Sequence, residues 1–181
     1  MAYLLRTLLV IMLLAILLTA LAGLEIIPFP IGHIKLAIIS FIYMIFSQAF
    51  IMFYFIGVSR LTTNIYNVIN SKTNLHQIFD EVPEDLTPYL KKTTQFVRDS
   101  DLCKRQTIPW TMMMLLLGML AFFLGGAHDT GLVQKTTHSG VVYGMIAAML
   151  IGFFRQWKFL KKAHLLLRKI KHLYSIPDGS M

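Results

Sequence analysis

The sequence predicts an all-α integral membrane protein in which four transmembrane helices form an antiparallel bundle. Of its 181 residues, 56% are hydrophobic and only 14% are charged, whereas a soluble domain carries about 25% charged residues. In addition, four long stretches contain no Asp, Glu, Lys or Arg. The composition excludes a soluble enzyme and a disordered chain, and the single Cys103 excludes an intrachain disulfide scaffold.

The uncharged stretches predict the membrane spans. They are residues 7–24, 36–59, 106–127 and 136–154. A helix needs about 20 mostly apolar residues to cross the hydrocarbon of a bilayer. The fourth stretch is short, so we expect Lys135 and Arg155 to reach towards opposite interfaces. The first stretch also resembles a signal peptide with small residues at Ala20–Ala22, and we interpret it as an uncleaved anchor.

The Lys and Arg residues predict the orientation of the spans. Only Lys35 and Lys135 flank the two short connections, and the other fifteen of the seventeen basic residues fall on the opposite side. These fifteen are Arg6, Arg60, Lys72, Lys91, Lys92, Arg98, Lys104, Arg105, Arg155, Lys158, Lys161, Lys162, Arg168, Lys169 and Lys171. The positive-inside rule then predicts a multi-pass inner-membrane protein with both termini in the cytoplasm. The net charge of +8 is explained by this topology, so we expect no nucleic-acid partner.

The segment between the second and third spans has a helical pattern of apolar residues. We expect the second helix to continue into the cytoplasm as far as Phe79. A new helix is predicted to start at Pro88, because Thr87 can cap it and proline is tolerated in the first turn. This helix is expected to reach the third span and to kink at Pro109. Helices two and three therefore extend into a cytoplasmic helical hairpin over residues 60–105.

The tail, residues 155–174, is predicted to be a basic amphipathic helix in the cytoplasm. Its apolar stripe consists of Phe159, Ala163, Leu166 and Ile170. Its basic stripe consists of Arg155, Lys158, Lys162 and Lys169, which are candidates for contact with anionic lipid or with a partner. Two arrangements are open. The helix lies on the inner leaflet, or it continues straight and packs on the hairpin or on a partner subunit.

Polar and small residues inside the spans indicate how the helices pack. Gln48 lies near the middle of the second span, and we expect it to form a hydrogen bond with a neighbouring helix. Gly140 and Gly144 in the fourth span form a pair of small residues four positions apart, a spacing that permits close helix approach. The four spans contain no acid, which argues against a carboxylate-based proton or ion carrier.

Three of the six histidines fall at the outer ends of the spans, together with Glu25. One interpretation is that they only face water at the helix ends. A second is a bis-histidine heme b site, with His33 and either His128 or His138 as axial ligands. A third is a metal centre formed by His33, His128, Asp129 and His138, since His and carboxylate groups can hold zinc or copper. The second interpretation implies heme b as the cofactor, and the sequence identifies no other.

Two resemblances bear on these interpretations. The run His33-Ile34-Lys35-Leu36 resembles the His-x-Lys-Leu run of the four-helix, heme-binding bacterial protoporphyrinogen oxidases, which implies heme. It covers four residues, and the histidine-bearing first helix of that family has no counterpart in residues 7–24. The topology is also similar to that of the stator units of proton-driven motors. That likeness implies pore-facing threonines and a partner helix that bears an acid, and Thr111 alone does not meet this requirement.

The sequence contains no nucleophile–base pair, phosphate-binding loop or internal pair of acids, so we expect no enzymatic activity from this chain on its own. We interpret it as a small, mainly structural subunit of a larger bacterial membrane complex that is respiratory or electron-transferring. Its expected partners are the lipid bilayer and other membrane subunits or copies of itself. One alternative is a heme b redox protein that exchanges electrons with quinone. The second alternative is a transporter or channel component.

Overall fold

The computed structural model describes residues 2–24, 26–27, 30–79 and 82–174, and these residues are helical with no strand among them. The long helices are α1 (Ala2–Gly23), α2 (His33–Ser71), α3 (Thr87–Asp129) and α4 (Lys135–Tyr174). A short 3-10 helix, Leu75–Gln77, lies between α2 and α3. All four long helices have the length and the apolar composition needed to cross a membrane. The prediction of an all-α chain with four candidate transmembrane helices is therefore confirmed.

Helix α2 is much longer than a membrane span but ends earlier than predicted. Its 39 residues rise by roughly 58 Å, about twice the thickness of bilayer hydrocarbon. The helix ends at Ser71 and not at Phe79, because Lys72 adopts a left-handed conformation with φ 54°. Its backbone N–H donates to the carbonyl of Ile69 and closes the last turn.

Helix α3 begins at Thr87, with Pro88 in its first turn, but the predicted cap is wrong. The residue at the N-cap position is Leu86, which has no capping side chain. The carboxylate of Asp85 instead accepts a hydrogen bond from the Thr87 backbone N–H at 2.9 Å. That hydrogen bond holds the pKa of Asp85 below its usual value. The helix then continues without interruption through Pro109.

The helices contact one another in the ring order α1, α2, α3, α4, with α1 against α4. One apolar core cluster contains buried residues of all four helices, including Leu9, Met44, Met114 and Met149. We call this part the four-helix section. A second cluster contains residues of α2, α3 and α4 and of the α2–α3 connection, with Phe79 buried in it, and α1 contributes nothing to it. We call this part the three-helix section.

Helix α4 runs without a break from the fourth predicted span into the tail. Three residues of its predicted apolar stripe, Ala163, Leu166 and Ile170, are each less than 5% exposed, and the fourth, Phe159, is partly buried. Leu166 and Ile170 pack in the same cluster as Ile65 of α2. The tail therefore has the second of the two open arrangements, in which it continues straight and packs on α2 and α3.

A pair of glutamines crosses the middle of the four-helix section. Gln48 and Gln156 are both fully buried. The amide nitrogen of Gln156 donates to Oε1 of Gln48 at 2.6 Å and to Oγ1 of Thr111 at 2.8 Å. The amide nitrogen of Gln48 donates to Oε1 of Gln156 at 3.4 Å. Gln48 thus forms the interhelical bonds expected of it, and the network ties α2 and α3 to α4.

Close helix packing within the chain occurs at Gly118 and Gly152, and the small-residue pair Gly140 and Gly144 is not part of it. A Cβ atom added at Gly118 would collide with the side chain of Met44, and one at Gly152 would lie 2.6 Å from the sulfur of Met114. Around Gly140 and Gly144, by contrast, nothing lies within 4 Å of the Cβ position. Both face outward, so they make no close helix contact within the chain.

Replacing a single glutamine of the pair should cost more than half of the free energy of unfolding that is lost when both are replaced. In Gln156→Leu, the buried Oε1 of Gln48 loses the donor that the Gln156 amide supplies, and we expect the free energy of unfolding to fall by about 1–3 kcal/mol. The double variant Gln48→Leu/Gln156→Leu removes both amides and should cost less than the sum of the two single changes. Denaturation in detergent, followed by circular dichroism, measures these values. Gln95→Leu, an exposed change on α3, is the control, and strictly additive costs would contradict the pairing.

Candidate functional site

A cavity of about 490 Å³ opens between the helices at one end of the four-helix section. It lies where α1 and α3 end and where α2 and α4 begin, and all four helices line it. Buried residues form its inner end, including Met44 and Met145. Its volume and mainly apolar lining are typical of small-molecule sites. We call it the end cavity.

Small side chains keep the end cavity open. Gly23 of α1, Ala37 of α2, and Ala121 and Gly125 of α3 all line it. Larger residues at these positions would fill the space between the helices. The rings of Phe41 and Phe122, which also line the cavity, stack with centroids 4.7 Å apart and planes within 7°. The wall of the cavity therefore contains two stacked aromatic rings, and its small residues leave the helix backbones close to the interior.

His33 begins α2 and lies against the end of α1. A Cβ atom added at Gly23 would be only 2.6 Å from Cε1 of His33, so the ring packs directly on the α1 backbone. Nδ1 of His33 is 3.1 Å from the carbonyl oxygen of Thr19. Because a carbonyl oxygen only accepts hydrogen bonds, Nδ1 carries the proton. In the neutral ring, Nε2 therefore carries the lone pair.

His128, in the last turn of α3, has the same arrangement. Its Nδ1 is 3.1 Å from the carbonyl oxygen of Val133 in the α3–α4 connection, so its Nε2 also carries the lone pair. Histidines that ligate a metal usually donate their other ring N–H to a carbonyl or a carboxylate, which fixes the tautomer and the ring orientation. His33 and His128 are both held in this way.

His138, in the first turns of α4, completes the group of imidazoles. Its ring packs over Gly125, where an added Cβ atom would lie 3.2 Å from Cε1. The ring centroid is 6.0 Å from that of His128, and the two planes differ by 14°. Nδ1 of His138 is buried, without a hydrogen-bond partner among the described residues. Because buried polar atoms are normally hydrogen-bonded, this nitrogen is an exception within the lining of the end cavity.

The structure brings the three predicted histidines to one cavity but does not assemble the predicted metal centre. His33, His128 and His138 all line the end cavity, and Asp129 and Lys135 lie exposed at its mouth. Among the described residues, no group of three or more His, Cys, Asp or Glu side chains is spaced to hold a metal ion. Glu25 lies outside the described residues.

Sequence reasoning missed the contribution of α1 to this site. Thr19 and Gly23 are one turn apart and therefore share a face of α1. Thr19 supplies the carbonyl that orients His33, and its hydroxyl is 2.8 Å from that of Ser40 on α2. The first helix has no histidine, so its residue types did not indicate a role in ligand binding. The small and hydroxyl-bearing residues at helical spacing were the available signal.

The predicted basic stripe of α4 is partly occupied by partners within the chain. The guanidinium of Arg155 donates hydrogen bonds to the backbone and side-chain oxygens of Gln106 and lies over Trp110 at 5.3 Å. Lys162 forms an ion pair with Asp99 at 3.0 Å. The other two members of the stripe are exposed, namely Lys158 and Lys169. Contact with anionic lipid or a partner stays a prediction.

The tautomers of His33 and His128, which we call the rim histidines, can be measured. We expect His33 and His128 in their neutral forms to carry the proton on Nδ1, because each donates to a backbone carbonyl. Long-range ¹H–¹⁵N spectra of the detergent-solubilised protein, with single His→Gln changes for assignment, distinguish the two tautomers. His76 and His172, which are exposed, serve as references for the solvent-exposed state. A proton on Nε2 of either rim histidine would contradict the arrangement.

Comparison with known proteins gives no relative from which a role for the end cavity could be taken. No protein-family model, no curated protein and no solved structure matches the chain. The function proposed below is therefore argued from the residues of this chain.

Proposed function

We propose that the chain is an inner-membrane subunit of a bacterial electron-transferring complex and that its end cavity binds heme b. One observation supports this most directly. His33 and His128, on different helices, line one apolar cavity, and each is oriented by an Nδ1–H bond that leaves its Nε2 free to ligate. This arrangement suits a planar, apolar cofactor with a metal at its centre.

Membrane insertion is supported by two arginine–tryptophan pairs as well as by the apolar helices. The guanidinium of Arg6 lies 5.0 Å from the ring centre of Trp157, and Arg155 lies over Trp110. These are the only two tryptophans of the chain. Tryptophan is enriched at membrane–water interfaces, and an overlying cation stabilises its ring. Trp110 and Trp157 adjoin Thr111 and Gln156 in the sequence, on the side towards the three-helix section, and the two pairs would mark the cytoplasmic interface.

The antiparallel bundle is supported by the order of contacts between neighbouring helices. Met44 of α2 packs against Gly118 of α3, whereas Ser59, further along α2, accepts a hydrogen bond from Lys104, which is earlier in α3. Contact positions thus advance along one helix as they retreat along the other. In this arrangement residues 60–105 and the tail lie in the cytoplasm with most of the basic residues, and the end cavity opens on the outer side.

The residues of the end cavity fit heme b by their chemistry. Neutral imidazoles are the axial ligands of b-type hemes, and His33 with His128 provides one from α2 and one from α3, with His138 as the alternative to His128. The apolar walls and the small residues suit a flat macrocycle. Lys135, exposed at the mouth, suits the carboxylates of the propionate groups. When bound, heme supplies one-electron redox chemistry, which includes exchange with quinone, and the chain orients it and excludes water.

The proposed role as a subunit is supported by the open surface of α4. Gly140 and Gly144 lie on its exposed side, with no atom from another described helix within 4 Å of their Cβ positions. Helices in membranes approach one another closely at such small residues. A helix of another subunit, or of a second copy, would bury this surface.

A transporter or channel component is the second alternative, and one contact favours the cofactor role over it. The amides of Gln48 and Gln156 bond to each other across the four-helix section. Both side chains are fully buried, so the pair occupies the interior of the bundle with each amide held by the other. Proton flux into liposomes that contain the purified chain would support the transport alternative.

We expect the protein purified from heme-supplied cells to be coloured. Reduction with dithionite should give a Soret band and separate α and β bands. His33→Ala and His128→Ala should each abolish this spectrum, because each removes an axial ligand. His138→Ala tests the alternative ligand and should retain the bands, as should the control His76→Ala. A colourless wild-type protein overturns the heme assignment.

The orientation is tested independently by reporter fusions. Alkaline phosphatase, which is active only outside the cytoplasm, is fused after Leu132 in the α3–α4 connection or after Thr73 in the α2–α3 connection. We expect activity from the first fusion and none from the second, because Thr73 follows the cytoplasmic end of α2. The reverse pattern would show that the end cavity faces the cytoplasm.

A further inference from the structure

Helix α3 carries an exposed arginine face just below Trp110. Arg98, Leu102 and Arg105 share one face of the helix, since they lie four and three positions apart. Together with Asp101 and Gln106 they line a surface notch. Both arginines are exposed, and the ion pairs among the described residues involve neither of them. Their guanidinium groups are therefore available to an anion from outside the chain.

The acid in this notch is already paired, so the notch is positively charged. The carboxylate of Asp101 forms an ion pair with Lys104 at 2.7 Å. At the upper edge of the notch, Gln106 accepts hydrogen bonds from the guanidinium of Arg155. A third arginine, from α4, thus lies beside the two on α3.

An apolar stripe continues the same face of α3 above the notch. It consists of Met112, Leu116, Leu120 and Phe123, which are 52%, 65%, 47% and 64% exposed. These positions follow Arg105 at helical spacing, with Pro109 between them. From Met112 to Phe123 the helix rises by roughly 16 Å, which is close to half the thickness of the bilayer hydrocarbon. The face therefore has a cationic end and an apolar end as long as one leaflet.

We propose that Arg98 and Arg105 bind the phosphate of an anionic phospholipid in the cytoplasmic leaflet, with its acyl chains along the stripe from Met112 to Phe123. Guanidinium groups bind phosphate through paired, charge-assisted hydrogen bonds. Basic sites on the cytoplasmic side of transmembrane helices are typical of such lipid contacts. The proposal depends on the membrane placement proposed above and is independent of heme binding.

The test measures lipid binding to the full-length protein in a neutral detergent. Dioleoylphosphatidylglycerol or dioleoylphosphatidylcholine is titrated in, and native mass spectrometry counts the bound lipid. We expect the wild-type protein to prefer the glycerol lipid, and Arg98→Gln/Arg105→Gln to weaken its binding by about tenfold or more. Lys91→Gln/Lys92→Gln removes the same charge from exposed positions of α3 outside the notch and should change binding by less than about threefold. Circular dichroism confirms that each variant is folded.

Three results would overturn the proposal. Equal weakening in the two double variants would indicate a general effect of surface charge. Equal binding of the two lipids would show that the headgroup is not recognised. Displacement of the lipid by millimolar inorganic phosphate would assign the notch to a soluble phosphate. None of these results changes the absorption spectrum or the reporter-fusion pattern, so a failure here is distinct from a failure of the proposed function.

Discussion

In the proposed membrane placement, every polar group of the four-helix section needs a partner within the chain, because hydrocarbon offers none. The backbone satisfies this requirement through four uninterrupted helices. Buried threonines donate hydrogen bonds to backbone carbonyls one turn earlier, as Thr111 does to Thr107. The side-chain amides of Gln48 and Gln156 form hydrogen bonds with each other. The histidines of the end cavity follow the same rule only in part, since His138 keeps an unpartnered nitrogen. The hydroxyls of Ser47 and Tyr54 are likewise buried without a partner among the described residues, so incomplete pairing is not confined to the cavity.

The division into two sections follows from the shortness of α1. Helices α2, α3 and α4 have 39, 43 and 40 residues, whereas α1 has 22. Near the first residue of α1, the ring of Tyr3 lies 5.9 Å from that of His164 on α4. Beyond it, the other three helices enclose a separate apolar core that includes Ile69 and Ile170. One continuous set of helices therefore carries two cores, and only the first has access to the end cavity.

The sequence predicted the parts of this fold that depend on long apolar patterns, and it missed those that depend on single contacts. The four helices follow from the charge-free stretches. The end of α2 does not, because the left-handed residue that closes it is Lys72 and not the usual glycine. The partner of Gln48 was missed because Gln156 lies beyond the predicted fourth span, next to Arg155. The histidines of the end cavity were found, but its depth was not, since it depends on small residues from different helices, such as Gly23 and Ala121.

The hydrogen bond from His33 to Thr19 has a mechanical consequence for the first helix. The imidazole ring rests on the backbone at Gly23 and holds a carbonyl near the end of α1, so it joins α1 to α2 at the rim of the end cavity. A ligand that fixes Nε2 of this ring would also fix the last turns of α1. The amides of that helix end would then exchange their hydrogens with solvent more slowly when the cavity is filled. Occupancy of the cavity would thus change the dynamics of α1, although no side chain of α1 binds the ligand directly.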